Sequence, residues 1–548
     1  MKILGIISPK PSLVNCSDLI TITPKFQCSY PLNEKIFKSG IRSTDDINGK
    51  GIVVKFDSRK GEIQISRDIV GISPFYYSYN SDYFIFSDDL SALINNSSSQ
   101  KSRNLDEIGR FLLFGEIDKS KDTLIEGINE LQQGEIMTFN IQKHQFEILK
   151  SGASFSICKF TDYDEIVREN KKQVEEYISL RLKANKQENQ AVLLSGGLDS
   201  SIIATLLSDK LDPRNLSFLT HVLDDKSLDE SSYAEMISNR YGKIPWKTVQ
   251  TDSSSFIQDV EELHKIIEWP TRSIGTYNQY QLLKECASLN KKVVWDGLGA
   301  DALYGGHDSY RYDLIIETLK QLRILAAYGI LKWKGETYKE LVSLMKYRLK
   351  VGLIKRPWLH RHFLKFKDEL KIYNQSFLRQ ALNSPRIRTQ PSLKSKMKND
   401  FFEGGIRHLS RFTDRLGSHF GLDLIYSFAE NIKWAREISS LPRDLIFRNG
   451  VPKAILRDSF KSDLPSGIYN RKDKKGLPSL NNLWIDDHKD HWIKYFTNDL
   501  SEIYDVDFIH DHYKKWWSIK NCSENYSHFN HISFAIWNKV WMLNNSDD

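Results

Sequence analysis

The period of the hydrophobic pattern changes near residue 160, and that change divides the chain. Before it, apolar residues recur at alternate positions in short runs bounded by turn formers: GIVVKFD from Gly51, EIQISRD from Glu62, PFYYSYN from Pro74 and YFIFSDD from Tyr83. Such alternation predicts half-buried strands. A linker follows around SGASFSICKFTDY, and YDEIVRENKKQVEEYISLRL from Tyr163 takes up helical spacing. Beyond it strands and helices alternate. AVLL from Ala191 reads as a buried strand, SGGLDSS as a tight loop and SIIATLL as the first turns of a helix. LSFLTHVLDD from Leu216 reads as a strand, DESSYAEMISNRYG from Asp229 as a helix and KKVVWDG from Lys291 as another strand. This alternation predicts an α/β fold with a doubly wound parallel sheet that binds ligands at the carboxyl ends of its strands.

The loop after the strand at Ala191 carries the clearest chemistry. Gly196 and Gly197 lack a Cβ, so the backbone can turn sharply and approach a ligand closely. N–H groups converging on a helix N-terminus attract phosphate. Ser195, Ser200 and Ser201 add hydroxyls, and Asp199 adds an anion that fits beside phosphate when a cation bridges them. The plain alternative is a glycine-rich turn between strand and helix. The Walker pattern, with its Gly-Lys-Ser/Thr ending, is absent.

The run Ser195, Gly196, Gly197, Leu198, Asp199, Ser200, Ser201 resembles the pyrophosphate-binding loop of the ATP pyrophosphatase family, whose members split ATP into AMP and pyrophosphate. Within that family it resembles the synthetase domain of asparagine synthetases. VVWDGLGADALYGG, from Val293 to Gly306, resembles the family's second signature. The resemblance implies that Asp199 and Asp301 are magnesium ligands; the plain alternative is that Asp301 caps a helix. Two positions depart from the pattern. Leu298 stands where asparagine synthetases have Glu and β-lactam synthetases have Tyr, and Ala302 replaces a common acidic residue.

Further on, TDRLGSHFGLDLIYSFAEN from Thr413 resembles the family's helix and loop after the active site. Asp414 and Arg415 match, and Asp423 lies where many relatives carry Glu. SLPRDLIFRNGVPKAILRDSF makes Lys453 a candidate phosphate contact, and NRKDKKGLPSL resembles the family's basic loop. There Lys474 corresponds to the lysine that steadies the transition state of amide formation, with Lys472 or Lys475 taking that place if the register shifts. A surface lysine is the plain alternative for each.

RDIVGISPFYY from Arg67, FSDDLSAL, FGEID and TLIEGINELQQGE resemble the glutamine amidotransferase domain of the same synthetases. They imply an N-terminal-nucleophile hydrolase-like αββα sandwich over residues 1–155, with the synthetase domain and a helical extension over 156–548. Such a domain uses a Cys next to the initiator Met as nucleophile; here Lys2 follows Met1. The domain is therefore expected not to hydrolyse glutamine. It either packs against the synthetase domain or holds a peptide or partner protein.

Bulk properties narrow the setting. Five scattered cysteines, Cys16, Cys28, Cys158, Cys286 and Cys522, without C-x-x-C spacing suggest reduced thiols, no zinc site and a cytoplasmic location. The N-terminus lacks the marks of a secretory signal, and no apolar run approaches the ~20 residues that span a membrane. The net charge is +7, and much of the surplus sits between Lys320 and Lys398, as a solvated helical face or as an attraction for an acidic ligand. Nucleic-acid-binding motifs are absent.

These features imply ATP and Mg²⁺ as cofactors and an amide made through an acyl-adenylate. The basic insertion with RPWLHRH near Trp358 resembles that of the macrolactam synthetases that close lasso peptides. The expected substrate is then a precursor peptide whose Asp or Glu side chain is joined to its N-terminal amine, with a leader peptidase or recognition protein as a possible partner. Two other readings stay open: transfer of ammonia or an amino sugar's amine to a small carboxylate, and a non-enzymatic ATP-binding scaffold.

Overall fold

The computed structural model describes residues 4–7, 49–57, 59–96, 101–117, 120–150, 159–185, 188–223, 229–334, 368–383, 392–472, 484, 488–518 and 528–543. The alternating runs of the first part form two four-stranded antiparallel sheets. One contains β1 (Leu4–Ile7), β4 (Tyr76–Tyr79), β5 (Phe84–Ser87) and β6 (Asn129–Glu130), in the order β1-β5-β4-β6. The other contains β2 (Ile52–Asp57), β3 (Glu62–Arg67), β7 (Glu135–Asn140) and β8 (Gln145–Lys150), in the order β2-β3-β7-β8. Ile63, Ile65, Met137 and Phe139 of the second sheet share a buried cluster with Tyr77, Phe84 and Phe86 of the first and with Phe75 just before β4. Phe84 stacks on Phe139 with ring centroids 4.3 Å apart, so the sheets face each other as a sandwich. The helix Leu90–Asn96 packs on β4 and β5 as an outer layer.

The second part holds a five-stranded sheet, all parallel: β9 (Gln190–Leu193), β10 (Leu216–Val222), β11 (Trp246–Gln250), β12 (Val293–Asp296) and β13 (Asp423–Tyr426). Its order is β11-β10-β9-β12-β13. From β9 the chain builds outward through β10 and β11, then returns to lay β12 on the other side of β9. The order therefore reverses between β9 and β12. In such sheets the loops leaving the two strands at the reversal diverge and open a crevice at their carboxyl ends.

The stretch from Thr413, expected as helix and loop, divides differently. Its first part completes the helix Gly405–His419, but Asp423–Tyr426 is the edge strand β13. Leu424, Ile425 and Tyr426 are all buried, so the run shows no alternation that would separate a short strand from a helix. Among the described residues no helix is long and apolar enough to cross a membrane.

Candidate functional site

The glycine-rich loop sits at the β9 side of the crevice. Gly197 caps the helix Leu198–Ser208. Gly196 adopts φ +67°, and a Cβ there would lie 2.5 Å from Ala234 N and Tyr233 Cβ. That left-handed turn against a packed neighbour is what glycine permits. The hydroxyls brace the loop: Gly197 N–H donates to Ser195 Oγ at 3.3 Å, Ser195 N–H to Ser200 Oγ at 3.2 Å, and Ser200 Oγ–H to Gly197 O at 3.3 Å. Arg471, not singled out in the sequence, ties the loop to the start of the basic stretch NRKDKKGLPSL. Its Nη1 donates to Gly196 O at 3.0 Å, its Nη2 pairs with Glu230 and its guanidinium stacks 3.8 Å from the Tyr233 ring centroid.

A cavity of about 430 Å³ opens in the crevice. Ser195, Asp199 and Ser200 of the loop line it, as do Asp296 at the end of β12 and Leu298 and Asp301 beyond it. Gly196, Gly197, Leu198 and Ser201 do not line it; they shape the turn and anchor the helix behind it. Leu298 and, from the helix Gly405–His419, Leu409 and Phe412 supply apolar lining, and Thr413, Asp229, Glu230 and His221 supply polar lining. No Lys or Arg is among the described residues that line it. Burial pushes the His221 imidazole down to about 4, so the ring is neutral; its Nε2 lies 2.8 Å from Thr251 Oγ1.

Lys453 lies at the acidic edge of this cavity. Its Nζ is 2.7 and 2.5 Å from the two oxygens of Asp199 and 2.7 Å from Asp301 Oδ1, so one ammonium joins both carboxylates across the crevice. The lysine is 4% exposed. It takes a left-handed backbone (φ +56°) just before the helix Ala454–Ser459, with its N–H donating to Tyr304 O at 3.1 Å. Gly306 provides the space: a Cβ there would lie 2.0 Å from Asp301 Oδ1 and 2.1 Å from Lys453 Cε.

Other candidates lie elsewhere. Lys474, Lys475, Trp358 and four of the five cysteines fall outside the described residues. Cys286 is buried, and burial pushes its thiol up to about 12. Lys472 points to the Trp333 ring, with Nζ 5.6 Å from the centroid, in a separate cavity. Asp423 starts β13 in register with Val293, and so sits at the opposite end of the sheet from the loop. There it pairs with Lys50 at 3.2 Å and Arg181 at 3.5 Å. Asp414 also meets Lys50, and Arg415, paired with Glu268, lies 6.0 Å from the Tyr76 ring centroid, so both residues serve the packing between the two parts of the chain.

That packing includes a second charge cluster. Glu130 accepts from Arg67 at 2.7 Å and Arg411 at 2.5 Å, and Arg411 also donates to Tyr76 Oη at 2.9 Å. Tyr76 Oη–H and the Leu90 N–H donate to Glu268. Burial by itself raises the Glu130 carboxyl, but Arg411, Arg67 and Arg407 overcome it and hold the group well below the usual range. At Glu268 burial wins over the pull of Arg415, and the carboxyl is pushed up to about 7. Among the described residues no group of three or more His, Cys, Asp or Glu side chains forms a metal cage.

Residues 172–539 match the family model of asparagine synthase, and residues 33–149 match that of a glutamine amidotransferase domain. A provisionally named glutamine-hydrolyzing asparagine synthetase 2 of Methanocaldococcus jannaschii is 25% identical over 299 residues, 53% of this chain and 56% of that protein. The glutamine-hydrolyzing asparagine synthetase 1 of Bacillus subtilis is 20% identical over 492 residues, 87% of this chain and 75% of its own. Amidase chyE of Penicillium rubens is 29% identical over 167 residues, 28% of this chain and 24% of its own. The chain thus spans little more than half the length of the first relative. An ammonia-dependent NAD synthetase structure from Campylobacter jejuni overlaps 42% of this chain and all of its own, at 17% identity and a TM-score of 0.20, which carries no argument.

Proposed function

The chain belongs to the asparagine synthase family, and on that premise we propose that it makes an amide at the expense of ATP, releasing AMP and pyrophosphate. The observation that carries this reading is the meeting of Asp199, Asp301 and Lys453 at the reversal of the parallel sheet. A carboxylate oxygen of the acceptor attacks the α-phosphorus and pyrophosphate leaves. An amine then attacks the acyl carbon of the mixed anhydride, the acyl C–O bond breaks so that AMP leaves with the bridging oxygen that came from the carboxylate, and the amine gives up a proton. The chain's share is positioning and compensation of charge. Ser195, Ser200 and the N–H groups of the loop would receive the leaving pyrophosphate, with Lys453 beside it. Lys474 would steady the amide-forming step.

Mg²⁺ suits this donor set. Asp199 and Asp301 already converge on one cation, and Mg²⁺ takes one or two carboxylates together with phosphate oxygens and water rather than a protein cage. Asp199 and Asp301 would hold it, where it would draw charge from the phosphate oxygens.

The cavity wall favours an acceptor carboxylate on a peptide side chain. Leu298, Leu409 and Phe412 are apolar, and no Lys or Arg among the described lining residues offers a fixed cation to the second carboxylate that free aspartate would bring. The finer reading is a lasso-type macrolactam synthetase, cytoplasmic, which joins an Asp or Glu side chain of a precursor peptide to its N-terminal amine, with a leader peptidase or recognition protein as partner. The names of the relatives favour a second reading, transfer of ammonia to a small carboxylate.

Incubation with ATP, Mg²⁺ and a precursor peptide should yield a peptide lighter by one water and one AMP per ring, detected by mass spectrometry and nucleotide chromatography. ADP as product defeats the proposal. AMP formation only with ammonium or glutamine and a small acid selects the second reading.

A further inference from the structure

The ammonium of Lys453 stands where a cation bound by Asp199 and Asp301 would stand, and this contact has been built rather than left by chance. The backbone around the lysine is pinned: Lys453 N–H donates to Tyr304 O, Arg457 N–H donates to Lys453 O at 2.9 Å, and Arg457 Nε donates to Pro452 O at 3.2 Å. Only the side chain has freedom to move. The missing Cβ of Gly306 leaves room for Lys453 Cε and Asp301 Oδ1 together, since any side chain there would lie within about 2 Å of both.

A divalent metal binds carboxylate oxygens at about 2.1 Å. The ammonium now lies 2.5–2.7 Å from three of those oxygens, so both cations cannot hold the same pair of carboxylates without close like-charge contact. The ammonium leaves only when another anion receives it, and a triphosphate entering beside the loop supplies one.

We propose that Lys453 is a placeholder cation that keeps the Asp199–Asp301 pair closed to metal until nucleotide arrives, so that metal and nucleotide enter together. The proposal rests on the assignment of these carboxylates as the metal pair. It follows that the metal alone binds weakly and that nucleotide binding and metal binding strengthen each other. If Lys453 has swung away in less than about a tenth of nucleotide-free molecules, the apparent affinity for metal alone falls at least about tenfold.

The test uses the full chain and Mn²⁺ as probe, with free Mn²⁺ read by electron paramagnetic resonance. In the wild type, Mn²⁺ affinity should rise at least about tenfold when α,β-methylene-ATP is added, beyond what the analogue binds by itself. In Lys453→Met and Lys453→Gln, nucleotide-free affinity should rise by a similar factor. Equal Mn²⁺ affinity of the wild type with and without nucleotide overturns the placeholder role without any variant having to fold. So does nucleotide-free affinity unchanged in a folded Lys453 variant. Asp199→Asn and Asp301→Asn separate the two claims. If both keep wild-type Mn²⁺ affinity with the analogue bound, the metal assignment itself fails; if both lose it while the Lys453 variants match the wild type, only the placeholder role fails.

Discussion

Glu130 at the junction of the two parts and Asp199 in the crevice are carboxylates taken almost wholly out of water, 2% and 5% exposed. Glu130 is held by Arg67 and Arg411, with Arg407 close enough to lower its pKa further. Asp199 shares the ammonium of Lys453 with Asp301 and borders an open cavity. At the first, cations outnumber the anion and nothing is left to bind. At the second, two carboxylates meet the same ammonium, Arg457 acts on Asp199 from farther off, and Asp229, Glu230 and Asp296 line the same cavity, a predominance of anions that suits an incoming metal. Burial of charge alone therefore does not mark a functional site; the sign of what is left over, and the presence of a cavity beside it, do.

This contrast predicts that the two clusters fail differently. On the proposed role, Asp199→Asn should lower AMP formation by about 10²–10³-fold in a steady-state assay, the scale of losing one group that compensates transition-state charge. Its free energy of unfolding, read from urea titration, should stay within about 1 kcal/mol of the wild type. Equal activity would remove Asp199 from the chemistry. Glu130→Gln should instead cost about 3–5 kcal/mol of stability, because Arg67 and Arg411 stay buried without their anion. A loss under 1 kcal/mol would show that the junction does not depend on that charge.

Glu268 sharpens the comparison from within the junction. The unfolded chain releases its proton near pH 4.5 and the folded chain only at about 7, so the folded state binds more protons between them and stability falls as pH rises through that window. Glu268→Gln keeps an acceptor for the Leu90 N–H without the titration. It should gain about 2–3 kcal/mol on the wild type from about pH 5 to about pH 8, read from unfolding midpoints across pH. A constant difference would mean that Arg415 keeps Glu268 ionised throughout. The smallest effect belongs to a site outside both clusters. Asp162 caps the helix Tyr163–Ala184 by accepting from Glu165 N–H at 3.0 Å, and Asp162→Ala should cost about 1 kcal/mol with activity unchanged.

How much of this could be read in the chain depended on the range of the interaction. The strands of the sandwich showed because their faces differ in burial, and the β9 loop showed because an apolar run, two glycines and a helix start are adjacent. β13 did not show, since both of its faces are buried and the period is lost. The chemistry types of Asp199, Asp301 and Lys453 were legible by resemblance, but not their contact, which joins positions 254 residues apart. Arg471 was missed for the same reason: its partner carbonyl at Gly196 is 275 residues away, and nothing local distinguishes it from its basic neighbours. Asp423 stands in a stretch that resembles the family's segment after the active site, and parallel pairing places it at the far end of the sheet.

The central claim, that the acceptor is activated as an anhydride with AMP, is tested most directly by following the carboxylate oxygen. With an acceptor that supports turnover, labelled with ¹⁸O in its carboxylate, each amide formed should leave one ¹⁸O in the phosphate of AMP. Label in inorganic phosphate together with ADP, or amide formed with unlabelled AMP, would contradict the account.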